Sequence, residues 1–251
     1  MAAESPRLHI YGFIDGTVTY EPSVVGISPG QVTCVTDGTI TAIVGPAGPE
    51  DSVGSRKELI AHTVVLEEAL QNTDSVIPAR FGMTVSHPTE LVDDFLSSHR
   101  DRLRALLDEV RGHREFTLKA FWQGQSIFEA IISENPSIAE LKSRIVGKSA
   151  EETHFDRISL GRAVAEALTL KAETLKVELS KVTRPRVLSL EELPIEANDV
   201  QAFGHAFRVM SDRDSDLIDA ITVFDEKHGE TLRLKLVGPS PLFHFLPDLT
   251  E

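Results

Sequence analysis

The sequence predicts an α+β protein of two domains, and three observations carry that prediction. Runs of strand formers and runs of helical periodicity are segregated rather than strictly alternating. The 251 residues suffice for one large core or two smaller ones. Gly112 ends a long helical stripe just before a cleanly alternating strand, which places the boundary there and gives domains 1–112 and 113–251.

The first half opens with the strand-forming run "LHIYGFI" (8–14). In "QVTCVTDGTITAIVG" (31–45), Asp37-Gly38 lies between two alternating runs and predicts a hairpin. The Gly- and Pro-dense "GPAGPEDSVG" then reads as a loop. A helix starts near Ser55, because Leu59, Thr63, Leu66 and Leu70 recur at helical spacing.

"SVIPARFGMTV" (75–85) follows and reads as an amphipathic strand. Ile77, Ala79, Phe81, Met83 and Val85 would share one face, and Pro78, Arg80, Gly82 and Thr84 the other. On that second face Arg80 either meets solvent or a neighbouring acid, or forms an anion site, since a guanidinium grips a carboxylate or phosphate with two hydrogen bonds. His87-Pro88 opens a second helix with a stripe of Val92, Phe95, Leu96, Leu103, Leu106, Leu107 and Val110.

In the second half, Phe116, Leu118, Ala120 and Trp122 alternate along a strand. A helix runs to about Glu134, Asn135-Pro136 breaks it, and a long helix spans about 154–182 with Leu160, Val164, Leu168, Leu175 and Leu179 on one face. "RPRVLSL" and "DVQAFGHAFRVM" read as strands, "DSDLIDAITVFDEKHG" as a helix stopped by Gly229, and "TLRLKLVG" as a half-buried strand with Leu232, Leu234 and Leu236 inward. The order β, α, β, β, α, β is the ferredoxin-like plan with an enlarged helical crossover, followed by a Pro- and Phe-rich tail.

Composition excludes several functions. A net charge of -14 without a long basic run argues against nucleic acid as a partner. The single cysteine, Cys34, forbids an internal disulfide and a multi-thiolate metal site, which fits the reducing cytoplasm. No basic region followed by an apolar run marks a signal peptide, and no uninterrupted apolar stretch approaches the roughly 18 residues a membrane span needs. We expect no membrane association.

Catalytic motifs fail on chemistry. "GISPG" (26–30) has the letters of a nucleophile elbow, but Pro29 lacks the N–H that an oxyanion hole requires after the serine. "VGKS" (146–149) lacks the upstream glycine of a P-loop, where Lys142 stands. "DRDSD" (212–216) spaces aspartates like a calcium loop, yet its sixth position is Leu217 and its twelfth Val223, so Asp214 or Ser215 is expected to cap the next helix. The histidines lack zinc-site spacing, and His205, flanked by Phe203 and Phe207, reads as a satisfied neutral core histidine. Neither a catalytic residue, a cofactor site nor a metal site is assigned.

In order, "YGFI", "RKELIAHTVVLEEAL", "VIPARFGMTV" and the closing "LRLKLVGPSPLFHF" resemble the gas vesicle protein F/L family over nearly the whole chain. The most specific parts are His62 on the helix, Pro78-Ala79-Arg80-Phe81-Gly82, and Gly238-Pro239 with Phe243 nearby. The chain departs from the family in its last stretch, where Ser240, Pro241, Leu242 and Phe243 replace a Trp-Pro-Pro-Tyr-like run, and in Thr63, where asparagine is common.

The resemblance implies two α+β domains, the second ferredoxin-like, and a non-enzymatic accessory role in gas vesicle assembly. It further implies contact with the main gas vesicle shell protein and with other accessory proteins. Arg80 then belongs to a family signature, and pairing with an acid of the helix bearing Glu67 and Glu68 would explain it structurally.

Two readings stand. In the first, an apolar groove, an open sheet edge or the tail "PLFHFLPDL" covers the apolar face of a shell subunit. In the second, a small-molecule enzyme or sensor on ferredoxin-like domains uses an anion site at Arg80. A buried polar pocket around Arg80 and His62 would favour the second, a shallow apolar groove the first.

Overall fold

Strand β1 (Leu8–Asp15) organises the first half, in a computed structural model that describes residues 7–48, 54–195 and 200–247. All of β1 after Leu8 is buried, as expected of a central strand covered on both faces. It pairs antiparallel with β3 (Ile40–Pro46) on one side and with β4 (Ile77–Pro78) and β5 (Thr84–Val85) on the other. Strand β2 (Thr33–Thr36) extends the sheet beyond β3. The hairpin between them forms at Asp37-Gly38, where Asp37 Oδ1 accepts the N–H groups of Thr39 and Ile40, each at 2.8 Å.

A bulge at Tyr11 disturbs the simple alternation of β1, because the pairing with β3 skips from Ile10 to Gly12. Ile10 and Phe13 consequently enter one core and Tyr11 and Ile14 the other. Helix α1 (Arg56–Asn72) closes the Tyr11 side with Val65, Leu66, Ala69 and Leu70. It begins with a capping box, in which Ser55 Oγ accepts the Glu58 N–H at 3.3 Å and Glu58 Oε2 accepts the Ser55 N–H at 2.6 Å. Gly12 admits this close approach, since a Cβ there would stand 2.7 Å from Leu66 Cδ2 and 2.6 Å from the Ile77 carbonyl oxygen.

The opposite core is closed by one helical run. Helix α2 (Pro88–Glu90) passes through a π-helical stretch (Leu91–Leu96) into α3 (Ser97–Glu109), delivering Leu91, Leu96, Leu103 and Leu107. Three arginines, two on α3 and one just beyond its end, tie this run to the sheet and its hairpin turn. Arg100 reaches Asp37 at 2.8 Å, and Arg104 and Arg111 reach Asp15 at 3.2 and 3.3 Å.

The segment 75–85 is not one strand. Ala79 N–H donates to the Tyr11 carbonyl and Ile10 N–H to the Met83 carbonyl, so both ends follow β1. Between them the chain loops out, with a Met83 N–H to Arg80 carbonyl bond of 3.1 Å and Gly82 at φ +90°. Glycine at that conformation lifts Arg80 and Phe81 off the sheet, which the alternation of apolar residues alone does not foresee.

A second compact unit comprises Phe116–Val237. Strand β6 (His113–Trp122) leads into α4 (Gly124–Glu134), α5 (Pro136–Ile145) and the long α6 (His154–Thr183). Then come β7 (Ser189–Glu192), β8 (Gln201–Met210), α7 (Asp214–His228) and β9 (Leu232–Ser240), in a sheet ordered β7-β8-β6-β9. Phe116, Leu118, Phe203, Phe207, Leu175, Leu179, Leu217 and Phe224 meet in its core. A satellite cluster joins Ile127, Ile131 and Ile138 to Leu160, Val164 and Leu168 of α6.

Four local expectations need correction. Strand β7 starts later than "RPRVLSL" suggests, because Arg184–Arg186 forms a 3-10 turn. Neither Asp214 nor Ser215 caps α7, since Asp214 is already its first residue and the cap position falls on Arg213 without a side-chain bond. His205 is buried as expected, but its Nδ1 has no hydrogen-bond partner among the described residues, and burial holds its pKa below the ordinary imidazole value.

The fourth concerns the tail. The described residues from Gly238 to Pro247 belong to the first unit with residues up to Glu115, not to the second half. Leu242 is buried in the core with Ile10 and Leu107, and Phe245 and Leu246 pack against it. The predicted loop at 45–54 lies partly outside the described residues, at 49–53, as do 196–199 before β8 and 248–249 of the tail.

Candidate functional site

The returning tail forms one wall of a cleft in the first unit. Leu242, Phe243, Leu246 and Pro247 face Leu59, His62 and Thr63 of α1, and the loop residues Pro78, Ala79, Arg80, Phe81 and Met83 complete a cleft of about 450 Å³. Its walls are dominated by apolar side chains, and among the described residues lining it Arg80 is the one charged side chain. Apolar surface continues beyond the rim along α1, where Leu59, Ile60 and Val64 are 46%, 54% and 38% exposed. Phe243, across the cleft, is 40% exposed.

Behind this surface lies a buried imidazole pair. His62 Nδ1 and His9 Nε2 are 2.9 Å apart, and both rings are almost wholly buried. The Phe81 ring lies 5.4 Å from His9 and 5.5 Å from His62, and Tyr11 stacks on His62 at 5.4 Å. Burial, joined at His9 by the neighbouring His62 and opposed there by Glu58 and at His62 by Ala79, lowers both pKa values to about 4. Two neutral rings thus form a structural contact between β1 and α1. Among the described residues no group of three or more His, Cys, Asp or Glu could hold a metal.

The tail is held by Glu115. Its buried carboxylate accepts the His244 N–H at 2.9 Å and contacts His244 Nδ1 at 2.6 Å, while Ser240 Oγ donates to the Glu115 carbonyl. Neither His9 nor Glu115 stands out in the sequence. His9 shares a strand with Tyr11 one alternation away, which is its only signal, and the Glu115 contact spans more than half the chain.

Of the signature residues, His62, Pro78, Arg80, Phe81 and Phe243 come together at the cleft. Gly82 shapes the loop beside it, while Gly238 and Pro239 are not among the lining residues. Glu68, one acid of the helix from which a partner for Arg80 is expected, is engaged elsewhere. Glu68 accepts Tyr20 Oη at 2.8 Å and the Ser23 N–H and hydroxyl, and Arg80 is exposed rather than buried. The Cys34 thiol has its pKa pushed up to about 11 by burial, so it stays protonated at neutral pH.

Residues 7–247 match the family described as "Gas vesicle synthesis protein GvpL/GvpF". The chain belongs to the GvpL/GvpF family. Gas vesicle protein F of Streptomyces sp. (strain CB03234) is 28% identical over 236 residues, covering 88% of this chain and 90% of that protein. Gas vesicle protein F of Nostoc sp. (strain PCC 7120) is 24% identical over 235 residues, covering 92% and 94%.

The fold agrees. The crystal structure of GvpF from Anabaena sp. PCC7120 superposes with a TM-score of 0.75 at 23% identity, covering 96% of this chain and 98% of that one. GvpF from Microcystis aeruginosa gives 0.72 at 20% identity, covering 96% and 99%. This GvpL/GvpF member is therefore a gas vesicle protein of mixed α+β fold, and among its described residues no helix is long and apolar enough to cross a membrane.

Proposed function

We propose that this protein is a non-catalytic assembly factor that holds the main gas vesicle shell subunit through the cleft between α1, the 78–83 loop and the tail. The observation carrying this reading is the apolar character of the open cleft and its continuation over Leu59, Ile60 and Val64. A shell subunit has to present an apolar face to gas, and in water that face drives aggregation. An amphipathic segment laid in such a cleft would bury part of it. The net charge of -14 would keep the complex in solution by mutual repulsion.

Arg80 at the rim would select orientation by pairing with an acid of the bound segment, and other accessory proteins would meet the complex elsewhere. The work would take place in the cytoplasm, on subunits destined for the vesicle. Among the described residues the lining of the cleft offers no pair of convergent acid and base groups, which favours binding over catalysis.

Co-expression with the shell protein tests this directly. The shell subunit should become soluble and copurify, and Leu59→Asp or Phe243→Asp, each at an exposed position, should abolish copurification while leaving the circular dichroism unchanged. Capture that survives both substitutions would move the binding surface away from this cleft. A shell protein that aggregates regardless would remove direct capture of the free subunit.

A further inference from the structure

A second apolar surface lies on α6, in the other unit. That helix spends Leu160, Val164 and Leu168 on the satellite cluster and Leu175 and Leu179 on the main core. Away from those contacts, Phe155, Ile158, Leu170 and Val177 are 82%, 58%, 71% and 54% exposed. Four large apolar residues on one helix are more than the scattered singles a surface normally shows.

Their order is informative. Residues 158, 162, 166 and 170 recur every four positions and so form one surface ridge, reading Ile, Arg, Glu, Leu. Arg162 and Glu166 are 78% and 74% exposed in their side chains and only loosely paired with each other, at 3.9 Å. A contact that long and that exposed contributes little, so either partner can be exchanged at small cost.

We propose that this ridge is a self-association surface on which a second copy of the chain docks its own α6 antiparallel. In that arrangement Arg162 of each copy meets Glu166 of the other, and Ile158 of each meets Leu170 of the other. The sequence of the ridge is complementary to itself only when reversed. A parallel pairing in register would set arginine on arginine and glutamate on glutamate. The antiparallel pairing is two-fold and isologous, so it closes at a dimer.

Phe155 then falls between Leu170 and Val177 of the second copy and extends the apolar contact. From Ile158 to Leu170 the ridge is about 18 Å long, from the rise per helical residue. A contact of that size is small, and the acidic charge of each copy opposes it, so the dimer is weak and concentration-dependent.

Sedimentation velocity of the full chain, from about 1 to about 200 µM in about 0.15 M salt, should show the mass rising from monomer toward dimer. Arg162→Glu makes the charged part of the ridge wholly negative and Glu166→Arg makes it wholly positive. Each variant alone should associate at least about tenfold more weakly, because like charges then face each other across the axis.

An equimolar mixture of the two should restore association as a heterodimer. Repair of the pair within one helix cannot explain that rescue, since both variants carry like charges there. Leu170→Asp in both partners should remove the rescue, and circular dichroism would establish that each variant is folded. A parent chain that stays monomeric throughout overturns the proposal. So do single variants that associate as well as the parent, or a mixture that associates no better than its components.

Discussion

His9 Nε2 and His62 Nδ1 lie within hydrogen-bond distance, 2.9 Å, inside the first unit and join β1 to α1. The Ala79 carbonyl also acts on His62, raising its proton affinity as a hydrogen-bond acceptor would. In the neutral pair one of the two facing nitrogens donates and the other accepts. Protonating either ring would convert an acceptor into a donor, or place two cations side by side in a space that excludes water.

Acid lability follows from that contact. Both pKa values fall from 6.5 to about 4, so the unfolded chain takes up protons that the folded chain refuses. The stabilisation is complete above pH 6.5 and is lost as pH falls toward 4, on the order of 3 kcal/mol for each ring. The melting temperature should therefore drop across that window. In His9→Asn with His62→Asn the drop should be clearly shallower, and an unchanged slope would show that other groups set it.

The tail should depend on Glu115. Its carboxylate is 1% exposed and binds His244 through both the backbone N–H and the ring. Glu115→Ala removes both contacts and should cost about 1 to 3 kcal/mol, from the loss of charged hydrogen bonds. Amide hydrogen exchange should quicken over residues 242–246 more than over α1. Uniform acceleration would mean that the tail does not move as a separate strap.

What the sequence reveals here follows physical range. β1, the Asp37-Gly38 hairpin, the Ser55 start of α1, the break at Asn135-Pro136 and the α6 stripe were legible because each rests on neighbours a few residues apart. The loop at Arg80 reads as strand in the sequence because apolar alternation persists through it, while one glycine at positive φ redirects the chain. Five of the twelve described residues lining the cleft are legible as signature residues, without a reason for their grouping. The rest depends on contacts between distant segments, such as His9 with His62 and Glu115 with His244, which no local period encodes.

Ser55→Ala should destabilise the first unit by about 1 kcal/mol, since it removes the side chain that accepts the Glu58 N–H and opens the capping box. Ser55→Thr keeps the oxygen and should recover most of the loss. Chemical denaturation would read both, with an unchanged m-value. Equal loss in both variants would place the effect in packing rather than in the cap.

Asp15 provides a second, separable acid response. Thr17 binds its Oδ1 through the N–H at 3.0 Å and the hydroxyl at 2.7 Å, and Arg104 and Arg111 approach Oδ2 at 3.2 and 3.3 Å. The Thr17 bonds, then the arginines, hold the carboxyl down at about 2, against an ordinary 3.8. A depressed carboxylate stabilises fully above its unfolded pKa and loses that contribution as pH falls through the folded one, here from 3.8 toward 2 and worth about 2 kcal/mol. That window begins below the one set by the histidine pair. Asp15→Asn retains an acceptor for Thr17 but loses the charge facing two arginines. It should therefore lower the melting temperature at pH 7 and flatten its dependence below pH 4, leaving the slope between 6.5 and 4 intact. Loss of the upper slope as well would show that the two ends of β1 unfold as one electrostatic unit.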